Sequence, residues 1–213
     1  MVQQTAERVQ IPAAGVTLAG TVDVPRDASG IVVFAHGSGS SRESPRNTHV
    51  AEVLRERGLG TLLFDLLTEA EDRSRQNRFD IELLTDRLMA VTEWVWTQDW
   101  VGDAPVGYFG SSTGAAAAVR AAARLGDDVA AVVTRGGRVD MAEEAVPDVT
   151  APTLFVVGGA DTDVLALNRR ARDRLDAESS LHVVAEAGHL FEGPGELDEV
   201  ASAAADWFVA AFD

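Results

Sequence analysis

The chain of 213 residues has no cysteine, so it can build no disulfide framework, thiolate nucleophile or thiolate metal site. It has no lysine either, and all 18 of its basic residues are arginines. A phosphate-cradling Gly-x-x-x-x-Gly-Lys-Ser/Thr loop is therefore absent, and so is the Gly-x-Gly-x-x-Gly dinucleotide fingerprint. No apolar run approaches the length of a membrane span, and the first thirty residues carry Gln, Glu, Arg and Asp where a signal peptide would be apolar. A soluble, cytoplasmic protein is expected.

Against the 18 arginines stand 34 acidic residues, a net charge of −16. Such a field repels nucleic acid and anionic membrane surfaces, so neither is expected as a partner. Excess acid without lysine resembles the composition of proteins from salt-in halophiles. In about 1 M salt the Debye length is only about 3 Å, and self-repulsion that would strain the fold in dilute buffer is screened. A GC-rich genome would explain the arginines but not the acidity.

The hydrophobic fraction of 46% and the length fit one α/β domain over residues 1–213. Glu7 to Ile11 and Val16 to Val24 straddle Pro12-Ala13-Ala14-Gly15 and read as an antiparallel hairpin. From Ile31 onward, strands at Ile31–Ala35, Gly60–Asp65, Val106–Phe109, Ala130–Thr134, Thr153–Val157 and Leu181–Val184 alternate with helical stretches. That alternation predicts a mostly parallel twisted sheet with helices on both faces. The helix from Asp80 to about Trp100 places Ile81, Leu84, Leu88, Val91 and Val95 on one face, so Trp94 and Trp96 read as core and rim packing. A final helix spans Leu197 to Phe212.

The chemistry begins at Gly110-Ser111-Ser112-Thr113-Gly114, between a strand and an alanine-rich helix from Ala115 to Leu125. In a Gly-x-Ser-x-Gly elbow the central serine occupies a strained strand-to-helix turn, and a Cβ at either glycine would collide with backbone. Ser112 is the candidate nucleophile. A serine hydroxyl needs a base, and the base an orienting acid. Gly158-Gly159-Ala160-Asp161 leaves a strand with a carboxylate in the loop, and Ala187-Gly188-His189 follows the final strand. Asp161 is the candidate acid, although an aspartate there can also cap the next helix; Asp163 reads as the better cap. His189 is the candidate base. Of the other histidines, His182 lies within the last strand, His49 on a solvent-facing helix, and His36 at a strand end as a hydrogen-bonding loop residue. The strand Ile31–Ala35 runs into His36-Gly37-Ser38-Gly39, a small-residue loop suited to oxyanion donors, assigned to the N–H groups of Ser38 and Thr113. Arg42, Arg46, Arg135 and Arg138 follow strand ends that border the same crevice. Arg42, Arg135 and Arg138 are candidate contacts for an anionic substrate, with surface carboxylates as the alternative partners.

Taken together, Phe34-Ala35-His36-Gly37-Ser38-Gly39-Ser40, the elbow, Arg135-Gly136-Gly137-Arg138, Gly158-Gly159-Ala160-Asp161 and Gly188-His189-Leu190-Phe191 resemble a small α/β-hydrolase of the dienelactone hydrolase-like group. The resemblance covers nearly the whole length and implies the α/β-hydrolase fold and ester-type hydrolysis through an acyl-enzyme. The best-known dienelactone hydrolases use cysteine where this chain has Ser112, so lactone specificity does not carry over. A single strand-helix unit between the nucleophile and acid strands leaves no room for a large lid, and the site should be shallow. The expected activity is a serine hydrolase acting on a small carboxylic ester or lactone, with no cofactor and no metal. An acyltransferase on the same triad, or a binding module that keeps the fold without catalysis, are the alternatives.

Overall fold

A computed structural model describes residues 6–213. Eight strands form one sheet in the order β1-β2-β4-β3-β5-β6-β7-β8. The edge hairpin consists of β1 (Glu7–Ala13) and β2 (Val16–Asp23), joined by Ala14-Gly15, both of positive φ. That pair of left-handed residues makes the tight turn whose twist matches the strands it connects. Pro12 lies in β1, the edge strand, where its missing N–H costs no ladder bond on the open side. β2 then pairs antiparallel with β4 (Gly60–Phe64).

The other pairings are parallel: β3 (Ile31–Ala35) with β4 and β5 (Val106–Ser111), β5 with β6 (Ala131–Arg135), β6 with β7 (Thr153–Gly158), and β7 with β8 (Ser179–Val184). Every residue of β3, β4, β5, β6 and β7 is buried. This is why they read as continuous apolar runs rather than alternating ones. One face packs α4 (Ile81–Trp96) and α5 (Thr113–Leu125) through Leu88, Val91, Val95 and the Ala115–Ala118 run. The opposite face packs α1 (Pro45–Glu56) and α7 (Glu196–Phe212) through Val50, Leu54, Val200 and Phe208. Short helices α2 (Glu69–Asp72) and α3 (Arg75–Arg78) follow β4, and α6 (Thr162–Arg174) follows β7.

Among the boundaries that differ from the expectations are the ends of β5 and α4. β5 continues past Phe109 through Gly110 and Ser111, which pair with Thr134 and Arg135. The glycine reads as a turn but still lies in the ladder. α4 ends at Trp96 instead of near Trp100, because the Thr97 hydroxyl and the Gln98 amide both donate to the Trp94 carbonyl and terminate the ladder. After β6 come only 3-10 turns at Val139–Ala142 and Val146–Asp148, so no large lid covers the strand ends.

Candidate active site

β5 ends in the elbow. Ser112 stands between strand and helix with φ +50° and ψ −119°, a left-handed conformation for a residue with a side chain. Such a conformation costs on the order of 1–3 kcal/mol and persists only when the surroundings over-determine it. They do so here: Ser112 N–H donates to Arg135 O at 3.1 Å, and Ser112 O accepts from Ala115 N–H at 3.1 Å and Arg138 N–H at 3.0 Å. Helix α5 approaches the end of β3 so closely that a Cβ on Gly114 would lie 2.1 Å from the Ala35 carbonyl oxygen. Ser111 is only 3% exposed, whereas Ser112 is partly open to solvent.

Asp161 and His189 leave the C-terminal ends of β7 and β8 on neighbouring loops, tied by Ala160 N–H donating to Ala187 O at 3.0 Å. His189 Nδ1 lies 2.7 Å from Asp161 Oδ2. An ionised carboxylate only accepts, so Nδ1 is the donor, and in the neutral ring this leaves the lone pair on Nε2. Asp161 does occupy the cap position of α6, yet its side chain caps nothing and is turned to the imidazole. Asp163 is an exposed residue of the first turn and not the cap. The imidazole sits over the loop that follows β6: a Cβ on Gly136 would lie 3.2 Å from His189 Cε1. Ser112 is hydrogen-bonded to the residue just before that glycine. No hydrogen bond joins His189 to Ser112 itself in this arrangement; of the two contacts expected of His189, the structure forms the one to Asp161.

The candidate oxyanion loop touches the candidate nucleophile, since a Cβ on Gly37 would lie 3.0 Å from Ser112 Cβ. Thr113 N–H opens helix α5 and finds no acceptor among the described residues. Ser38 N–H donates to Thr113 Oγ1 at 2.8 Å, so the second assigned donor is engaged in this state. His36 holds the loop in place, its Nδ1–H donating to Gly37 O at 2.9 Å while Nε2 accepts from Leu66 N–H at 3.1 Å. Burial lowers its pKa, which keeps the ring neutral in this bridging role. The other two histidines pair with carboxylates of α7, His49 with Asp198 and His182 with Glu199, away from Ser112.

The candidate arginines divide. Arg42 donates from both its backbone and its guanidinium to Asp65, and Arg138 forms a two-bond fork with Asp140 at 2.9 Å on each arm. Both are satisfied by carboxylates, as the alternative reading had it. Arg135 has no such partner. Concavities at the chemistry are small, about 10 Å³ along His36–Gly39 and Thr113, and 130 Å³ beside Ser40, Ser41 and Asp65. A larger one of 510 Å³ is lined instead by residues that include Arg120, Arg124, Met141 and Glu144, and by none of Ser112, Asp161 and His189. We assign the chemistry by the convergence of reactive groups rather than by volume, because an open site on a lid-free sheet end encloses little space. Among the described residues no cluster of potential metal ligands occurs, and no helix is long and apolar enough to cross a membrane.

Residues 28–209 match the family model described as alpha/beta hydrolase domain. The chain is 48% identical to a dienelactone hydrolase from Anabaena variabilis, covering 98% of this chain and 99% of that one, with a TM-score of 0.94. The esterase domain of a Rhodothermus marinus protein shares the fold at 17% identity, covering 95% and 97% of the two chains with a TM-score of 0.77. A curated Mycobacterium tuberculosis protein, provisionally named a phosphoribosyl transferase, is 56% identical over 203 residues, 95% of this chain. The chain spans 46% of the length of that relative. With the elbow, the eight-stranded sheet and these likenesses together, the chain belongs to the alpha/beta hydrolases, within the dienelactone hydrolase-like group.

Proposed function

We propose that the protein is a serine hydrolase that cleaves a small carboxylic ester or lactone through an acyl-enzyme. The observation that carries the reading is the partly exposed Ser112 in its left-handed elbow, next to the loop on which the His189–Asp161 pair rests. In the proposed reaction a turn of the imidazole brings His189 Nε2 to the Ser112 hydroxyl. Nε2 takes the proton as Oγ adds to the carbonyl carbon, and the imidazolium is steadied by Asp161. The resulting oxyanion accepts from Thr113 N–H and, once the Thr113 hydroxyl rotates away, from Ser38 N–H. Collapse expels the alcohol, which takes the proton from His189; water then repeats the sequence and releases the acid. These steps call on no cofactor or metal.

The relative's provisional name describes a protein about twice this length. On this reading, phosphoribosyl transfer belongs to the portion outside the match, and the matched portion hydrolyses. The acidic, lysine-free composition extends the proposal to a protein working in a salt-rich cytoplasm.

A fluorophosphonate probe tests the reading directly. Labelling and turnover of p-nitrophenyl esters or simple lactones should disappear in Ser112→Ala, with turnover down by about 10⁴ or more, and persist in Ser111→Ala. Labelling that survives Ser112→Ala and vanishes in Ser111→Ala would sink the assignment.

A further inference from the structure

Arg135 closes β6 with only 9% of its surface exposed. Its Nη1 is buried without a hydrogen-bond partner, and no carboxylate lies within 4.0 Å of the guanidinium among the described residues. Alternation along β6 puts Arg135 on the same face as Ala131 and Val133, the side covered by α1 and α7. There the first turn of α1 presents Arg46, whose Nε is likewise buried and unpartnered. That turn has no acidic residue. Burial, and after it the charge of Arg46, lowers the Arg135 pKa to about 10. Two positive groups thus face one region with no negative one between them.

In this chain that is anomalous. Every other arginine without a carboxylate partner, namely Arg8, Arg26, Arg73, Arg75, Arg169 and Arg170, is exposed to water. Arg87, which is just as buried, donates to the carbonyls of Ala13 and Ala14 and to Glu71. A buried, unpaired guanidinium beside a second one destabilises the fold, and carboxylates are abundant enough to have neutralised it. Its place suggests a use. Ser111 and Arg135 are register partners, and Ser112 N–H donates to Arg135 O, so the arm is rooted one strand spacing, about 5 Å, from the nucleophile. Gly136, the next residue, underlies the His189 ring.

We propose that Arg46 and Arg135, together with the first turn of α1, form a subsite for an oxyanionic group of the substrate, a carboxylate or a phosphate. The guanidinium forks donate to such a group in two-bond geometry, and a helix N-terminus adds favourable partial charge. That the anion belongs to a substrate rests on the hydrolase reading above; that an anion binds there does not.

The test uses the full chain at constant ionic strength. Melting temperature is recorded with inorganic phosphate, with succinate and with chloride alone, and kcat/KM is compared for mono-p-nitrophenyl adipate and p-nitrophenyl hexanoate. Phosphate or succinate should raise the melting temperature above the chloride value, and Arg46→Gln should remove that rise. The adipate ester should be preferred by about tenfold or more, and the ratio of the two kcat/KM values should fall by about tenfold in Arg46→Gln and in Arg135→Met. Arg46→Gln alone decides the matter should Arg135→Met not fold. The anion that gives the larger Arg46-dependent rise in melting temperature identifies the group as phosphate or carboxylate. No anion-specific rise and a ratio near one would overturn the subsite while leaving the hydrolase reading, which serine labelling reports separately. An Arg46-dependent rise with a ratio near one would keep an anion site but remove the substrate from it. An Arg46-dependent rise with neither ester cleaved and Ser112 unlabelled would keep the anion site and overturn the hydrolase reading.

Discussion

Asp161 Oδ2 and His189 Nδ1 meet at 2.7 Å across two loops that are 28 residues apart in sequence. The contact selects the tautomer in which Nε2 can accept a proton. Asp161→Asn would offer an N–H to the ring and favour the opposite tautomer with little change in shape. We expect kcat for ester hydrolysis to fall by about 10²–10⁴ with a melting temperature close to wild type. A variant within threefold of wild-type kcat would show that Asp161 does not orient the base.

Gly114 allows helix α5 to start against the end of β3. A Cβ there would lie 2.1 Å from Ala35 O and 2.5 Å from His36 O, both backbone atoms that cannot rotate away. Gly114→Ala should therefore destabilise the fold by about 1–3 kcal/mol and displace the His36–Gly39 loop from Ser112. Urea unfolding measures the first effect and the rate of probe labelling the second. An unchanged unfolding midpoint would contradict the close approach.

His36 should make stability depend on pH. Burial lowers its folded-state pKa below the ordinary value of about 6.5, so the unfolded chain binds the proton more readily than the folded one. The unfolded state then holds more protons between those two values, and stability rises with pH there. The His36 contribution is complete above about pH 6.5 and is lost as the pH falls below it, until the folded-state pKa is reached. Unfolding free energies of wild type and His36→Gln, measured from about pH 7.5 down to about pH 5, should converge as wild type loses this contribution. The other three histidines are common to both proteins and cancel in the difference. Parallel curves would mean that His36 is not held neutral.

Salt should stabilise the protein. Repulsion within a net charge of −16 extends over about 30 Å at 0.01 M salt and about 3 Å at 1 M. Surface pairs such as Arg57–Asp206 and Arg124–Glu82 are screened as well, but exposed pairs contribute only about 0–1 kcal/mol each. With 34 acidic groups against 18 basic ones, relief of repulsion dominates. The melting temperature should climb steeply from dilute buffer and continue rising into molar KCl. A flat or falling curve would remove the reason for proposing a salt-rich cytoplasm.

Much of this molecule is legible in one dimension because its signals are local. The apolar runs that became β3 through β7 are short, dense and bounded by turn residues, and parallel strands buried on both faces leave that pattern. The elbow is also local, since strand, small residues, serine and helix follow one another directly. The order Ser112, Asp161, His189 placed each group after a strand, and strand ends converge on one edge of a parallel sheet. What local pattern does not record is where side chains find their charge partners. Arg42, Arg46, Arg135 and Arg138 all follow or adjoin strand ends, and sequence alone treats them nearly alike.

The sequence by itself determined the α/β order, the strained serine and the acidity of the chain, because each depends on residues adjacent in the chain or on composition. Only the tertiary structure decided that Asp161 turns to His189 instead of capping α6, that Thr113 Oγ1 occupies the Ser38 N–H, and that Arg42 and Arg138 are neutralised while Arg135 is not. Those outcomes hang on distances between atoms brought together by long-range packing, and hydrogen bonding and charge pairing change sharply over an ångström or two.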